Sequence, residues 1–172
     1  MVQSANVPPA VAITDPPNGS VLASPATFTI SAKASDTDGS VTNVLFLQGT
    51  TSLGNVQNIP YLVTVHNLAA GDYTLSAVAS DNGGAKATNA ITIHVVTAAP
   101  ITLSEAQQLS PTCFQFSYSA TAGLRYVVQR SADLTHWTAL TTNSATSNSE
   151  IFLDQSATGN PGFYRVGLLP NP

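Results

Sequence analysis

The sequence is divided into short segments in which apolar and polar residues alternate, each ended by glycine, proline, asparagine or aspartate. In residues 27–35, Phe28, Ile30 and Ala32 alternate with polar neighbours. A period of two places successive side chains on opposite faces of a β-strand. Short strands separated by turn residues about every 8–12 positions are typical of sandwiches and barrels. The chain is therefore predicted to be all-β.

The amino-acid composition supports this prediction and excludes some partners. Charged residues make up 8% of the chain, against about 25% in a typical soluble domain. Glutamate and lysine, which usually cover helix surfaces, are scarce, whereas threonine and valine suit a pleated sheet. The net charge of −4 argues against a nucleic-acid partner, because no basic stripe is present. No apolar run reaches the about 18 residues that a membrane span needs.

The turns divide the chain into two units. The first, residues 7–97, is predicted to be an Ig-like β-sandwich of seven strands. Residues 98–100 are a short linker, and residues 101–170 form a second, smaller β-sandwich of six strands. The predicted strands are 11–14, 27–35, 41–48, 52–56, 61–67, 73–80 and 90–96 in the first unit, and 101–109, 112–119, 124–131, 137–142, 149–153 and 163–168 in the second.

Residues 7–97 resemble the bacterial Ig-like domains that recur in secreted hydrolases and surface proteins. The resemblance rests on DPPNGSVLASPATFTISAKASDTDGSVTNVLFLQG and LAAGDYTLSAVASDNGGA. It implies that Tyr73, just after a corner, bonds through its hydroxyl to the backbone. Leu45 and Leu47 stand where this family is usually more polar. They are expected on the outer face of their strand, either as a contact surface or as scattered surface leucines.

The second unit is similar to a C-terminal β-domain found in secreted proteins of Verrucomicrobia and related bacteria. The residues that carry this resemblance are FQFSYSATAGLRYVVQRSADLTHWTALTTN and the closing FYRV. It implies an extracellular address and a tail position. The first residues, MVQSANVPP, lack the features of a signal peptide, so the chain is expected to be part of a longer protein that is secreted or displayed on the cell surface.

The sequence shows no catalytic constellation. There are two glutamates, Glu105 and Glu150, whereas a glycosidase needs two carboxylates across a cleft. No serine lies in a nucleophile elbow, and the three histidines lack the spacing of metal ligands. The single cysteine, Cys113, cannot form a disulfide within the chain. We predict that the protein is not an enzyme.

A calcium site is one interpretation of two acidic loops. Asp36 and Asp38 follow the second predicted strand, and Asp81 follows the sixth. In an Ig-type sandwich these loops share one end, where Asn6 also enters. Three carboxylates there would suit Ca²⁺, which prefers oxygen ligands. The other interpretation is turn chemistry, because aspartate caps its own turn.

Exposed aromatic rings would indicate a sugar-binding site, because pyranose rings lay apolar C–H faces on them. The candidates are Trp137, Tyr126, Tyr164 and Tyr61. The alternative for Trp137 is a core anchor, since a small domain needs a large buried ring.

The sequence favours a non-catalytic accessory module pair of a secreted bacterial carbohydrate-active protein, with the catalytic domain N-terminal to it. Polysaccharide is the expected partner, calcium is the one cofactor considered, and the chain is expected to be monomeric. Two alternatives remain. One is a passive spacer or tail, for which every aromatic ring other than that of Tyr61 is expected to be buried. The other is an adhesin that binds protein through an exposed patch at Leu45 and Leu47.

Overall fold

The computed structural model describes residues 5–157 and 162–171. These residues form fourteen strands and no helix, so the predicted all-β class is confirmed. No helix long and apolar enough to cross a membrane occurs in this part of the chain. The chain divides into two compact units. The first runs to Val96 and includes Asn171, and the second runs from Thr97 to Pro170.

The first unit consists of a three-stranded and a five-stranded sheet. The three-stranded sheet has the order β1–β3–β6, and the five-stranded sheet has the order β2–β8–β7–β4–β5. β2 pairs with β8 in parallel, whereas the other pairs are antiparallel. The strands are β1 (Ala10–Asp15), β2 (Ser20–Ala23), β3 (Ala26–Ser35), β4 (Val41–Gln48), β5 (Thr51–Val56), β6 (Tyr61–Leu68), β7 (Gly71–Asp81) and β8 (Lys86–Val96).

β2 is the one strand of this unit that the sequence did not predict. It has four residues, too few for an alternation to be recognised, and it follows directly on a turn. Its partner lies far along the chain, since Ser20 pairs with Ile93. A pairing this remote leaves no local signal. β2 nevertheless contributes to the core, because Leu22 is 1% exposed.

The core of the first unit lies between the two sheets and follows the predicted alternation. Phe28 and Ile30 of β3 are buried, and Phe46 of β4 is fully buried. The Tyr73 hydroxyl donates a hydrogen bond to the Ala69 carbonyl at 3.0 Å, as the Ig-like resemblance implied. This bond fixes the corner before β7.

The second unit consists of two three-stranded antiparallel sheets. Their orders are β13–β10–β9 and β12–β11–β14. Each strand overlaps one of the six predicted segments. The strands are β9 (Leu103–Ser110), β10 (Cys113–Ser119), β11 (Arg125–Ser131), β12 (Thr138–Ser144), β13 (Ser149–Asp154) and β14 (Phe163–Leu168).

Aromatic rings fill the core of the second unit. Phe116 lies at the centre, with ring centroids 5.4 Å from Phe152, 5.6 Å from Tyr164 and 6.4 Å from Tyr118. These pairs are tilted, a favourable geometry for aromatic contacts. A small domain has little interior, so large rings supply much of the apolar area that it can bury.

Candidate functional site

Two of the four predicted sugar-binding aromatics lie in the cores. Tyr126 of β11 is 0% exposed, its ring centroid lies 5.9 Å from that of Tyr118, and its hydroxyl accepts a hydrogen bond from the Thr121 amide at 2.8 Å. Tyr61 of β6 is 7% exposed. Both residues occupy inward positions of their strands, so neither ring offers a face to a sugar. The prediction that Tyr126 and Tyr61 are sugar-binding residues is therefore wrong, because both rings are buried.

Tyr164, the third candidate, is half-buried in a structural network. Its ring stacks on Phe114, with centroids 4.9 Å apart and an interplanar angle of 15°. Its hydroxyl donates to the Asp154 carboxylate at 2.8 Å, which Arg130 also approaches at 3.4 Å. Burial, and then the bond to Asp154, raise the pKa of Tyr164 to about 12. Phe114 thus covers one face of the Tyr164 ring, and the Arg130 guanidinium lies 5.8 Å from the ring centroid.

Trp137, the fourth candidate, is held by the turn between β11 and β12. The buried Ser131 hydroxyl accepts the Leu134 amide at 2.8 Å. The Asp133 carboxylate accepts the amides of His136 and Thr135 at 2.8 and 2.9 Å. These bonds, led by those from His136, hold the pKa of Asp133 well below its usual range. The indole Nε1 of Trp137 then donates to the Leu134 carbonyl at 3.0 Å, so the turn fixes the ring.

Trp137, which directly precedes β12, packs against side chains on one face of the sheet β12–β11–β14. The Arg165 guanidinium lies 4.1 Å from the centroid of the half-buried Trp137 ring, and its Nε donates to Gln129 Oε1 at 2.8 Å. Phe163, two residues before Arg165 on β14, is 41% exposed. We call Gln129, Trp137, Phe163 and Arg165 the Trp137 face. Of these four residues, only Trp137 was among the sugar-binding candidates predicted from sequence, because the alternation that places Phe163 and Arg165 on one face of β14 does not show which strand lies beside it.

The acidic loops of the first unit are held by hydrogen bonds of their own. Asp81 is 4% exposed and accepts the amides of Gly83 and Ala85 at 2.8 and 2.9 Å and the Asn6 side chain at 3.0 Å. Burial, the largest single influence, raises the pKa of Asp81, but these hydrogen bonds together outweigh it and leave the pKa lowered. Asp38 accepts the Val7 amide at 3.0 Å. Both carboxylates therefore stabilise the loops and the entering segment.

Asp36 differs, because both of its carboxylate oxygens are shielded from solvent and neither has a hydrogen-bond partner. A Cβ placed on Gly39 would lie 2.7 Å from Asp36 Oδ2 and 2.2 Å from Asn82 Oδ1, so these two oxygens face the same point. Within residues 5–157 and 162–171, however, no three His, Cys, Asp or Glu residues form a group that could hold a metal. The predicted convergence of Asp36, Asp38 and Asp81 on one ion is therefore not found.

Both glutamates accept hydrogen bonds from other residues of the second unit. Glu105 accepts the Ser117 hydroxyl at 2.6 Å. Glu150 accepts the amides of Thr146 and Ser147 at 2.6 and 3.2 Å, and the bond from Thr146 is the main reason that its pKa is lowered. These contacts organise strand pairing and a turn.

Leu45 and Leu47 lie on the outer face of β4 and are half-buried. Leu45 is paired with Asn55 of β5 on one side and with Val78 of β7 on the other. The adhesin alternative predicted an exposed apolar patch at these two residues, whereas both leucines are half-buried.

The fold of the first unit, two facing sheets with a tyrosine corner, places it in the class of Ig-like β-sandwich modules. Residues 9–77 match the family model of the bacterial Ig domain, in agreement with the resemblance of residues 7–97 to this family. No curated protein matches the sequence.

Solved structures of β-sandwich modules are similar to the chain. Fibronectin(III)-like modules of CbhA from Clostridium thermocellum are 26% identical, over 50% of this chain and 94% of theirs, with a TM-score of 0.47. Carbohydrate-binding modules of the β-sandwich superfamily are 11% identical, over 96% and 97%, with a TM-score of 0.44. SGBP-B of Bacteroides ovatus, solved with a mixed-linkage heptasaccharide, is 14% identical, over 96% and 44%, with a TM-score of 0.39.

Proposed function

We propose that this chain is a non-catalytic accessory module pair of an extracellular bacterial carbohydrate-active protein, and that its second unit contacts polysaccharide through the Trp137 face. The observation that carries this proposal is the exposure of the aromatic rings. All twelve aromatic residues lie in the described part of the chain, and among them Phe163 alone is exposed. It lies on the same face as Trp137 and two polar side chains.

The Trp137 face combines the two kinds of group that a sugar needs. Phe163 offers an apolar surface, and Arg165 and Gln129 offer hydrogen-bonding groups. Arg165 covers one face of Trp137 at 4.1 Å. A cation–π contact at an exposed site contributes about 0.5–1 kcal/mol, so a sugar ring can displace the guanidinium at small cost. The freed Arg165 then donates to sugar hydroxyls beside the Trp137 ring.

The first unit is assigned a positioning role. Its match to the bacterial Ig domain over residues 9–77 supports an extracellular setting for the whole protein. We retain the calcium hypothesis for this unit in a changed form, with the Asp36 carboxylate and the Asn82 side-chain oxygen as ligands in place of the three carboxylates of Asp36, Asp38 and Asp81. A hard cation there would compensate the unpaired buried charge of Asp36 and stiffen the loops around it.

A passive spacer is the second candidate function. It is favoured by the eleven aromatic rings that are buried or half-buried and by the cover that Arg165 gives to Trp137. A spacer would bind no polysaccharide, and substitutions on the Trp137 face would affect stability alone.

The test is depletion of the soluble protein by insoluble cellulose, chitin, xylan or mannan, with and without calcium. Wild type is compared with Trp137→Ala, Phe163→Ala and the control Leu109→Ala, which removes an apolar side chain that is 51% exposed on β9. Circular dichroism first confirms that each variant folds. We expect one polymer to deplete the wild type and the control, and each face variant to bind at least about tenfold more weakly, or about 1.4 kcal/mol.

Absence of depletion by every polymer would contradict the sugar-binding role and favour the spacer. The effect of calcium is measured in a separate experiment, as a change in the melting temperature. We expect calcium to raise the melting temperature of the wild type but not that of Asp36→Asn. Without a cation, Asp36→Asn would instead stabilise the fold regardless of calcium, because it removes an unpaired buried charge.

A further inference from the structure

The charged residues of the second unit are divided between its two sheets. The strands of the sheet β12–β11–β14 contain Arg125, Arg130 and Arg165 and no acidic residue, whereas those of the sheet β13–β10–β9 contain three acids and no basic residue. Arg130 approaches Asp154 of the opposite sheet at 3.4 Å. Arg125 and Arg165 are exposed and form no ion pair with a described residue of the chain. Two positive charges therefore lie on one sheet without a counter-charge from these residues.

Arg125 and Arg165 lie on the same outer face of this sheet. Tyr126 and Val128 of β11 are buried in the core. The alternate positions of β11, which include Arg125 and Gln129, therefore point outwards. Arg165 of β14 is directly opposite Gln129 in the antiparallel pair and shares its face. Since Arg125 and Gln129 are four positions apart, the two arginines are separated by about 13 Å along the strand direction.

The surface between the two arginines carries no charge. Val127 and Gly167 are opposite each other there, and a Cβ placed on Gly167 would lie 3.5 Å from Val127 Cγ1. The acid nearest to the Trp137 face in sequence, Asp133, accepts the amides of Thr135 and His136 and lies 2.7 Å from the ring Nδ1 of His136. A polysaccharide chain laid along the strands would meet an arginine at each end and no acidic side chain between them.

The guanidinium of Arg165 is held with one edge unoccupied. Its Nε donates to Gln129 Oε1 at 2.8 Å, and the group lies 4.1 Å from the centroid of the Trp137 ring. A guanidinium has five N–H donors, and those of Nη1 and Nη2 form no hydrogen bond among the described residues. Such a planar pair of donors matches the two oxygens of a carboxylate. A carboxylate can therefore be bound while the guanidinium stays on Trp137, whereas a neutral sugar ring must displace it.

We propose that the ligand of the Trp137 face is a polysaccharide of uronic acids, and that Arg125 extends the site along β11. This inference rests on the proposed sugar-binding function and adds the charge of the ligand. Arg165 binds the carboxylate of the sugar beside Trp137 and Phe163, and Arg125 binds a second carboxylate further along the same polysaccharide chain. The net charge of −4 does not prevent this binding, because exposed charges more than about 8 Å away are largely screened at physiological salt.

Calorimetric titration of the full chain with oligogalacturonate and with its methyl ester tests the proposal, with EDTA present to remove calcium. The ester keeps the sugar rings and lacks the charges. We expect the wild type to bind the acid at least about tenfold more tightly than the ester, because hydrogen bonds between charged groups are the stronger ones. The preference is expected to shrink as sodium chloride is raised from about 50 to about 500 mM, since both arginines are exposed.

The variants are Arg165→Gln and Arg125→Gln, with Lys86→Gln as the control, which removes one positive charge from the first unit. Circular dichroism first confirms that each variant folds. We expect Arg165→Gln to lose most of the preference for the acid over the ester, Arg125→Gln to lose part of it, and the control to lose none. Arg165→Lys is expected to fall between wild type and Arg165→Gln, because an ammonium keeps the charge but not the planar pair of donors.

Equal affinity of the wild type for the acid and the ester would overturn the proposal, as would a control that loses the preference as Arg165→Gln does. Tighter binding of dextran sulfate than of oligogalacturonate would overturn the carboxylate as the recognised group. Equal affinities for acid and ester together with binding of a neutral polymer that requires Trp137 would overturn this inference and leave the sugar-binding function in place. Absence of binding to the acid, the ester and every neutral polymer would overturn both.

Discussion

Replacement of Tyr126 by phenylalanine separates a structural role of this ring from a role in sugar binding. The ring is 0% exposed, and its hydroxyl accepts the Thr121 amide at 2.8 Å. Tyr126→Phe keeps the ring and its contact with Tyr118 and removes only the hydrogen-bond acceptor. The turn before β11 then loses the bond that ties it to the core.

The expected loss in the free energy of unfolding of Tyr126→Phe follows from the Thr121 amide, which is left without its acceptor. A donor left without its partner in a mostly buried site costs about 1–3 kcal/mol. The Thr121 amide is part-buried, so we expect the lower half of this range. In a domain of this size each 1 kcal/mol lowers the melting temperature by about 4–8 °C. Tyr126→Phe should therefore lower the melting temperature of the second unit by about 5–15 °C.

Trp137 provides the assay, because it is the single tryptophan of the chain and lies in the second unit. Its fluorescence during thermal and urea unfolding follows this unit without a contribution from the first. Polysaccharide depletion is measured below the melting temperature. A melting temperature within about 1 °C of wild type would refute the structural role, and loss of polysaccharide binding at unchanged stability would restore Tyr126 as a ligand contact.

Two further predictions concern other hydrogen bonds. Tyr73→Phe removes the 3.0 Å bond to the Ala69 carbonyl and should destabilise the first unit by about 1 kcal/mol, measured by circular dichroism in urea; an unchanged midpoint would contradict a role for this corner. The pKa of Asp154 is lowered, because the bonds from Tyr164 and Ser156 and the charge of Arg130 outweigh the effect of burial, the largest single influence. The unfolded chain therefore takes up this proton first as the pH falls. The stabilisation is complete above the ordinary pKa of aspartate, about 3.9, and is lost as the pH falls through the lower folded pKa. Asp154→Asn should flatten the acid side of the stability profile read from Trp137 fluorescence, and equal slopes for variant and wild type would contradict this.

Residue types alone predict only part of the candidate sugar-binding site. Both Trp137 and Tyr126 were predicted from sequence as sugar-binding residues. The structure places Trp137 at a surface and the Tyr126 ring in the core. An aromatic residue in an alternating segment satisfies a core position and a ligand platform equally well. The choice depends on which face of the strand the opposite sheet covers.

The acidic loops show the same limit. The motif around Asp36 and Asp38 predicted a turn, and the structure has a bend at residues 37–39, between β3 and β4. The three carboxylates do not converge, because two of them accept hydrogen bonds from backbone amides. Asp81 accepts the amides of Gly83 and Ala85, and Asp38 accepts the amide of Val7. These partners come from the tertiary arrangement of the loops.

The sequence by itself determined the all-β class, six of the six strands of the second unit and seven of the eight of the first, because alternation and turn residues act over a few neighbouring positions. The resemblance to bacterial Ig-like domains also implied the Tyr73 corner, whose hydrogen-bond partner lies four residues away. The tertiary structure alone decided the features that join distant segments. These are the parallel pairing of β2 with β8 and the position of Arg165 over Trp137. Each depends on which strand lies beside which, and the periodicity of one strand carries no information about its neighbours.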